Sequence, residues 1–540
     1  LVFSFIGMET QEIEVGERGE LNVVMSEILT DLDELVVIGY GVQRKALVTG
    51  ANVNVSGERV AELRTTTAME ALQGIAPGVQ IVRNHGAPGA GTKVTIRGMG
   101  TIGTSSPLYI VDGVAVSNID HLNASDIETI DVLKDAASAA IYGSRAANGV
   151  ILVTTKKGVS RAKPMITYDG YFGFQNIYKK PSVLNAQEYM YLFDEARLND
   201  GATPYNWQNM VINGNSYLNN NFPGSIGTEY GKYVWDKLES GWTGTDWVEE
   251  MSMSNAPVKS HSLNIGGGKE DVTYAIGVSY LDQKGIIGGD VTDAGYRRLT
   301  ARMNTEMILL KNKSHNILTI GENFTYTNSR NRSVATGDIY WNDLHSAIVA
   351  NPLLPLYYDK HELLPTTNGY APTLEGVHRN LHNPVALMYY RHNFNWGKSN
   401  SIIGNVYAVL EPIKNLRYRS SFGINSWFGH SRNYSPVYGL ADSSKRTSDG
   451  VTQSKWQGVD YTWTNTLTYD WRKEAHSFNF LVGSEMLKNV LDSELSAFKA
   501  KTGFGLPDHA YLDNVQVVES VGDIWASGRD RAAQGGGLMS

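Results

Sequence analysis

Between residues 164 and 488 the chain breaks into about nine segments in which apolar and polar side chains alternate, the period-2 signature of strands with one apolar and one polar face. After Thr273, the residues Tyr274, Ile276, Val278 and Tyr280 point one way, while Thr273, Ala275, Gly277 and Ser279 point the other. Ile166, Tyr168, Phe172 and Phe174 oppose Thr167, Asp169 and Gly173 in the same manner. Leu416, Tyr418, Phe422 and Ile424 oppose Arg417, Arg419, Ser421 and Asn425, and Tyr461, Trp463, Leu467 and Tyr469 oppose a run of threonines at 462, 464, 466 and 468. Two places break the pattern: residues 401–410 are apolar on both faces, and Asn465 sits on an apolar face.

Alternation alone fits a soluble antiparallel sheet with one wet face as well as a lipid-facing barrel. The connections separate the two. Short turns, at Gly268-Lys269-Glu270, Leu310 to Ser314, Glu411 to Lys414 and Arg472 to Ala475, alternate with long ones of about 84, 12, 70 and 25 residues. Strands that enter and leave a bilayer in turn have short periplasmic turns and long outer loops, and a sandwich has no reason to keep that parity. The predicted fold is a transmembrane antiparallel β-barrel. Val278 is expected to face lipid, where arginine is costly, and Ser279 a lumen that tolerates one.

Before the barrel, residues 44–158 read as a compact α+β unit. Helices are predicted at Thr67 to Gly74 and Asp135 to Tyr142, and strands at Val79 to Val82, Val94 to Arg97, Leu108 to Val111, Ile127 to Leu133 and Gly149 to Thr155. A unit of about 115 residues placed directly before a wide barrel is sized to plug it. Residues 28–43 form a linker with an extended apolar patch, Leu35 to Ile38, and residues 1–27 resemble the end of a β-sandwich. The opening in mid-strand and the odd strand count predict an N-terminal portion of a longer protein, truncated at both ends, with about nine of about 22 barrel strands.

Composition narrows the chemistry. No run of 18 apolar residues exists, so no transmembrane helix is predicted. The net charge of −8 is spread without a basic stripe, which argues against nucleic acid. With no cysteine, disulfides, thiolate metal sites and cysteine nucleophiles are excluded. No metal ligands and no cofactor are predicted. Gly98-Met99-Gly100-Thr101-Ile102-Gly103 matches GxGxxG but leads into another strand rather than a helix, and Gly86 to Lys93 likewise runs into a strand. His361-Glu362 is followed by Pro365 where a zinc site needs histidine. Arg97 and Asp112 read as internal ion-pair partners. Asp246, Glu249 and Glu250 are the acids a glycosidase reading would use. Trp207, Trp235, Trp242 and Tyr357-Tyr358 serve either sugar stacking or loop packing. A secreted β-rich glycan-binding or glycoside-hydrolase protein, or a surface adhesin, are the competing classes.

Three stretches carry a resemblance: VTIRGMGTI at 94–102, PLYIVDGV at 107–114 and DIETIDVLKDAASAAIYGSRAANGVILVTTKKG at 126–158. They resemble the plug of TonB-dependent outer-membrane receptors, in the SusC/RagA-like branch. The signature positions here are Arg97, Gly98, Asp112, Gly113, Lys134, Tyr142, Gly143, Asn148 and Gly149. LDELVVIGYG at 32–41 is similar to the branch's TonB box, with Asp33, Glu34, Leu35, Val36, Val37 and Ile38 as its core, and LVFSFIGMETQEIEVG to the end of its carboxypeptidase-regulatory-like domain. The resemblance implies a non-enzymatic transporter in the outer membrane of a Bacteroidetes-type Gram-negative cell. It imports a nutrient substrate, oligosaccharide or peptide, with a SusD-like surface lipoprotein and with TonB pulling on the box. An extended, β-branched segment suits pairing with a partner's strand edge.

Overall fold

A computed structural model describes residues 52–530, apart from 64, 104, 338–341, 359–363, 365–366, 474–475, 503–506 and 515–522, together with 2–3, 11–12, 23, 35–38 and 41–44. Near the start, β1 (Val2–Phe3) pairs antiparallel with β2 (Gln11–Glu12), and β3 (Leu35–Ile38) with β4 (Gly41–Arg44).

The α+β unit contains a five-stranded sheet with β5 (Asn52–Ser56), β8 (Leu108–Val111), β9 (Val114–Val116), β10 (Ile127–Leu133) and β11 (Val150–Thr155), ordered β5-β10-β11-β8-β9. A separate hairpin joins β6 (Val79–Arg83) to β7 (Thr92–Ile96). Most of these strands fall where periodicity places them. The helices differ. Thr67 caps only Ala68–Ala71, its hydroxyl accepting from Glu70 N. The alanine-rich stretch is helical over Ala136–Ala139 and then tightens to a 3-10 turn over Ala140–Asn148, broken at Gly143, whose φ is +62°. Only glycine adopts that region readily, so the α-helix stops short of Tyr142.

The second unit is a ten-stranded antiparallel sheet: β12 (Arg161–Gln175), β13 (Ala256–Lys269), β14 (Val272–Lys284), β15 (Gly295–Lys311), β16 (Asn316–Arg332), β17 (Trp396–Ile413), β18 (Leu416–Ser435), β21 (Gly450–Lys473), β22 (His476–Ala500) and β23 (Ile524–Asp530). A hairpin of β19 (Tyr438–Ala441) and β20 (Ser444–Arg446) lies in the connection before β21. Every neighbour in the sheet is the next strand in sequence apart from that hairpin, which is the order of an up-and-down barrel wall. Long connections at 176–255, 285–294, 333–395 and 436–449 alternate with short turns, so the predicted parity holds. Among the described residues the sheet has ten strands: the nine that the pattern predicts, β12 to β22 without the β19–β20 hairpin, and one more beyond them. β22 continues past residue 488 because a bulge opposite Val459 and Asp460 shifts its register there and breaks the simple alternation. The tenth strand, β23, is exposed along its length and has no apolar face to announce it.

Side-chain burial divides the wall into two faces. Val278 is 45% exposed and Ser279 2%, as the register requires. Ile276, Met303, Phe324, Val406, Phe422, Trp463 and Leu467 are likewise exposed on the outer face. An apolar surface running across so many strands has no counterpart on a soluble monomer and matches a lipid-facing band. Asn465 is reconciled with that face by its neighbour, since Tyr418 Oη donates to its Oδ1 at 2.8 Å. The doubly apolar stretch of β17 also has its reason. Val406 points outward, whereas Ile403 is 4% exposed and belongs to the buried core of the α+β unit. One face meets lipid and the other a protein interior.

Candidate functional site

The α+β unit sits against the inner face of the wall and touches strands from β13 to β22, so the sheet wraps around it. The contact is polar and buried. Arg302 on β15 has a side chain 1% exposed, with its Nε 3.8 Å from Asp126 Oδ1, and Asp126 is 2% exposed. Its Nη2 donates to Asn264 Oδ1 at 3.1 Å, and its Nη1 to the Lys156 carbonyl. Two residues along, Asn304 Nδ2 donates to Thr155 Oγ1 at 2.7 Å and to the Lys156 carbonyl at 2.9 Å. Arg298 Nη1 donates to the Asp120 carbonyl at 2.6 Å and Nη2 to the Thr66 carbonyl at 3.3 Å. Ser125 Oγ donates to Ser262 Oγ at 2.8 Å, Asn405 Nδ2 to the Asp112 carbonyl at 2.7 Å, and Arg145 pairs with Glu485 on β22. Burial raises the Asp126 carboxyl above the usual carboxylate range, opposed by Arg302. The His121 imidazole is pushed down to about 4 by burial and then by Arg298, which keeps it neutral.

Ser279 belongs to this contact, its hydroxyl donating to Asp126 Oδ2 at 3.4 Å. The lumen at that height is filled, so the expected tolerance of arginine at 279 is overturned: an inward position next to a packed unit has no free volume.

Most signature residues shape the backbone of the inner unit. Arg97, Gly98, Asp112 and Gly113 all have positive φ, at 55°, 90°, 48° and 88°. Asp112 stabilises its tight turn by accepting from Thr155 N at 2.9 Å and from Thr155 Oγ1 at 2.7 Å. Arg97 is exposed. The internal Arg97–Asp112 pair is therefore corrected, since a main-chain and hydroxyl donor set already serves the buried carboxylate. Lys134 donates to the Pro77 carbonyl, Asn148 Nδ2 to the Ser106 carbonyl at 3.4 Å, and Tyr142 is 5% exposed in a small core with Leu133 and Val150. Gly149 has φ +88°, and a Cβ there would lie 2.7 Å from Ile96 Cδ1 and 3.1 Å from the Leu133 carbonyl. Gly98 to Gly103 forms an exposed loop in which Gly103 N donates to Thr101 Oγ1, so no helix N-terminus is available for a phosphate.

The Leu35–Ile38 patch is a strand, with Leu35 opposite Arg44 and Ile38 opposite Gly41. Asp33 and Glu34 lie outside the described residues, as do His361 and Glu362.

Above the wall, the connections at 176–255 and 333–395 build a helical cap that the strand pattern did not reveal. A readable signal was present: Asn185 and Glu188 form a capping box before Ala186–Asn199, and Asn206, Asn342 and Asn383 cap three further helices. Asp246 caps Trp247–Met251, accepting from Val248 N and Glu249 N at 3.0 Å, while Glu249 pairs with Lys180. Asp246 and Glu249 thus have structural partners. Trp207 and Tyr358 are buried in the cap's apolar core, Trp235 and Trp242 pack against it, and Tyr357 alone of the five is exposed, stacked on Tyr370.

Comparison with known proteins agrees with this geometry. A family model of the TonB-dependent receptor plug domain matches residues 45–150. TonB-dependent receptor P26 of Formosa agariphila is 29% identical over 552 residues, covering 95% of this chain and 50% of the relative. TonB-dependent receptor SusC of Bacteroides thetaiotaomicron is 28% identical, covering 90% of this chain and 45% of the relative. The RagAB peptide importer in its closed-closed state shares the fold with a TM-score of 0.73 at 24% identity, covering 89% of this chain and 52% of that one. The chain spans about half the length of the curated relatives it matches. The architecture is a plug held inside part of a β-barrel. The chain belongs to the SusC/RagA-like TonB-dependent receptors.

Proposed function

We propose that the intact protein imports a nutrient, an oligosaccharide or a peptide, across the outer membrane of a Gram-negative cell. The observation that carries this reading is the plug itself, riveted by buried polar contacts to the inner face of a wall whose outer face is apolar. A barrier of that kind opens only by work. The outer membrane holds neither ATP nor a usable ion gradient, so TonB, powered from the inner membrane, delivers the work through residues 33–38. Among the described residues strand β3 pairs with β4 alone, and its other backbone edge suits pairing with TonB. A SusD-like lipoprotein captures substrate over the helical cap. Similarity to the receptor SusC and to the RagAB peptide importer supports these assignments. A glycosidase reading loses its support where Asp246 serves as a helix cap and Glu249 as an ion-pair partner.

Deleting Asp33 to Ile38 from the intact receptor tests the reading. Uptake is expected to cease while substrate binding at the cell surface stays near normal. Uptake at the normal rate without those six residues would sink the proposed coupling.

A further inference from the structure

The outer face of the wall carries a row of cations near its upper rim. Arg297 on β15, Arg330 on β16 and Lys398 on β17 are successive cross-strand partners, and His430 on β18 and Lys455 on β21 continue the row. Side-chain alternation places them on the face of the apolar band, with Leu299 the next outward residue after Arg297 and Phe428 the one before His430. Leu299 and Phe428 are both exposed. Arg330 stands two residues before the end of β16 and Lys398 two after the start of β17, so the row lies beside the long outer connections.

Like charges on directly opposed positions repel, so by itself the row costs the wall stability. Acids offset only its first members. Arg297 Nε lies 3.3 Å from Asp282 Oδ1, and the nearby Asp293 is shared by Lys284 and Arg332. Among the described residues neither Arg330 nor Lys398 has a carboxylate partner. Lys398 Nζ lies 5.3 Å from the centre of the Trp396 ring, which orients the ammonium without neutralising it, and the His430 ring meets the same indole edge-on. Uncompensated cations directly above an apolar band complement a ligand with the same two halves. Phosphate oxygens accept from guanidinium and ammonium donors, and acyl chains cover the apolar residues below.

We propose that Arg297, Arg330 and Lys398 hold the phosphate-bearing headgroup of an acylated lipid of the outer leaflet, whose chains lie along the apolar band. The site is on the outside of the barrel and does not depend on what the receptor imports. The test is native mass spectrometry of the purified intact receptor, stripped of lipid and offered four probes: a phosphorylated, multiply acylated glucosamine disaccharide, its dephosphorylated form, phosphatidylethanolamine and inorganic phosphate. Preferential retention of the phosphorylated glycolipid is expected. Arg330→Gln combined with Lys398→Gln should weaken it about 25-fold, at about fivefold per cation, whereas Lys313→Gln in a short turn at the opposite rim should leave it unchanged. The paired substitutions relieve repulsion, so in neutral detergent the heat-modifiable gel shift of the variant should persist to the parent's temperature or above. Added glycolipid should raise that temperature in the parent alone. Equal retention by the paired variant would overturn the proposal, as would equal binding of the dephosphorylated form or of phosphatidylethanolamine. So would phosphate adducts without lipid, or no retained probe. The coupling of residues 33–38 to uptake is read separately and stands or falls without this result.

Discussion

Arg302→Met probes the contact between plug and wall. The side chain is 1% exposed, it is the nearest cation to the buried Asp126, and it makes one hydrogen bond across the interface, to the Lys156 carbonyl, and one within the wall, to Asn264. Methionine keeps much of the volume but removes the charge and the donors. Breaking a buried pair from one side costs about 3–5 kcal/mol, because the remaining charge is left uncompensated. At about 1.4 kcal/mol per decade, local opening of the plug rises by roughly two to three and a half orders of magnitude. Hydrogen exchange of the amides in β10 and β11, followed by mass spectrometry on the intact receptor in detergent, reads that opening. Asp126 supplies a pH check. Its carboxyl is raised by burial, so the folded plug holds that proton more tightly than the unfolded one. Stability from this group therefore grows as pH falls through the folded value and is lost as pH rises through the window between the two. Without Arg302 that folded value climbs further, so acidification should restore protection to the variant more than to the parent. Adding Asp126→Asn to Arg302→Met should recover part of the loss. Unchanged exchange in the single variant, or a double variant less protected than the single one, would refute the reasoning.

Three further outcomes follow from the packing. Val278→Arg should block membrane assembly at a cost of about 2–4 kcal/mol near the midplane, whereas Ser279→Arg should insert yet leave the plug sensitive to protease; equal assembly of both would contradict the register. Ile403→Ala should cost about 2–4 kcal/mol of plug protection in the same exchange experiment while leaving the barrel's heat-modifiable shift intact, because its side chain completes the plug core. Gly149→Ala combines a positive φ with a 2.7 Å approach to Ile96 and should destabilise the plug by about 2–4 kcal/mol, read as a lower denaturant midpoint for plug exchange.

The sequence by itself determined the wall and its orientation. Alternation at Tyr274 to Tyr280 and at Tyr461 to Tyr469 is a local property of the backbone pleat, and connection parity is a matter of counting, so both survive without knowledge of any distant contact. The plug strands at Leu108–Val111 and Ile127–Leu133 were legible for the same reason. The cap helices escaped a period-2 pattern although Asn185 and Glu188 announce one of them, because a helix repeats at 3.6 residues and shows no alternation. What only the tertiary structure decided is what each inward face meets. Ile403 is apolar because it completes the plug core, and Ser279 is unforgiving because Asp126 lies against it. Asp112 takes its partners from Thr155 rather than Arg97, and Arg302 finds Asp126 across 176 positions of chain. Asp246, read from sequence beside Glu249 as one of the acids a glycosidase would use, turns out to hold a helix end. Such pairings depend on residues far apart in the chain arriving at one height in the lumen. Strand register and plug docking set that height together, and no local pattern encodes it.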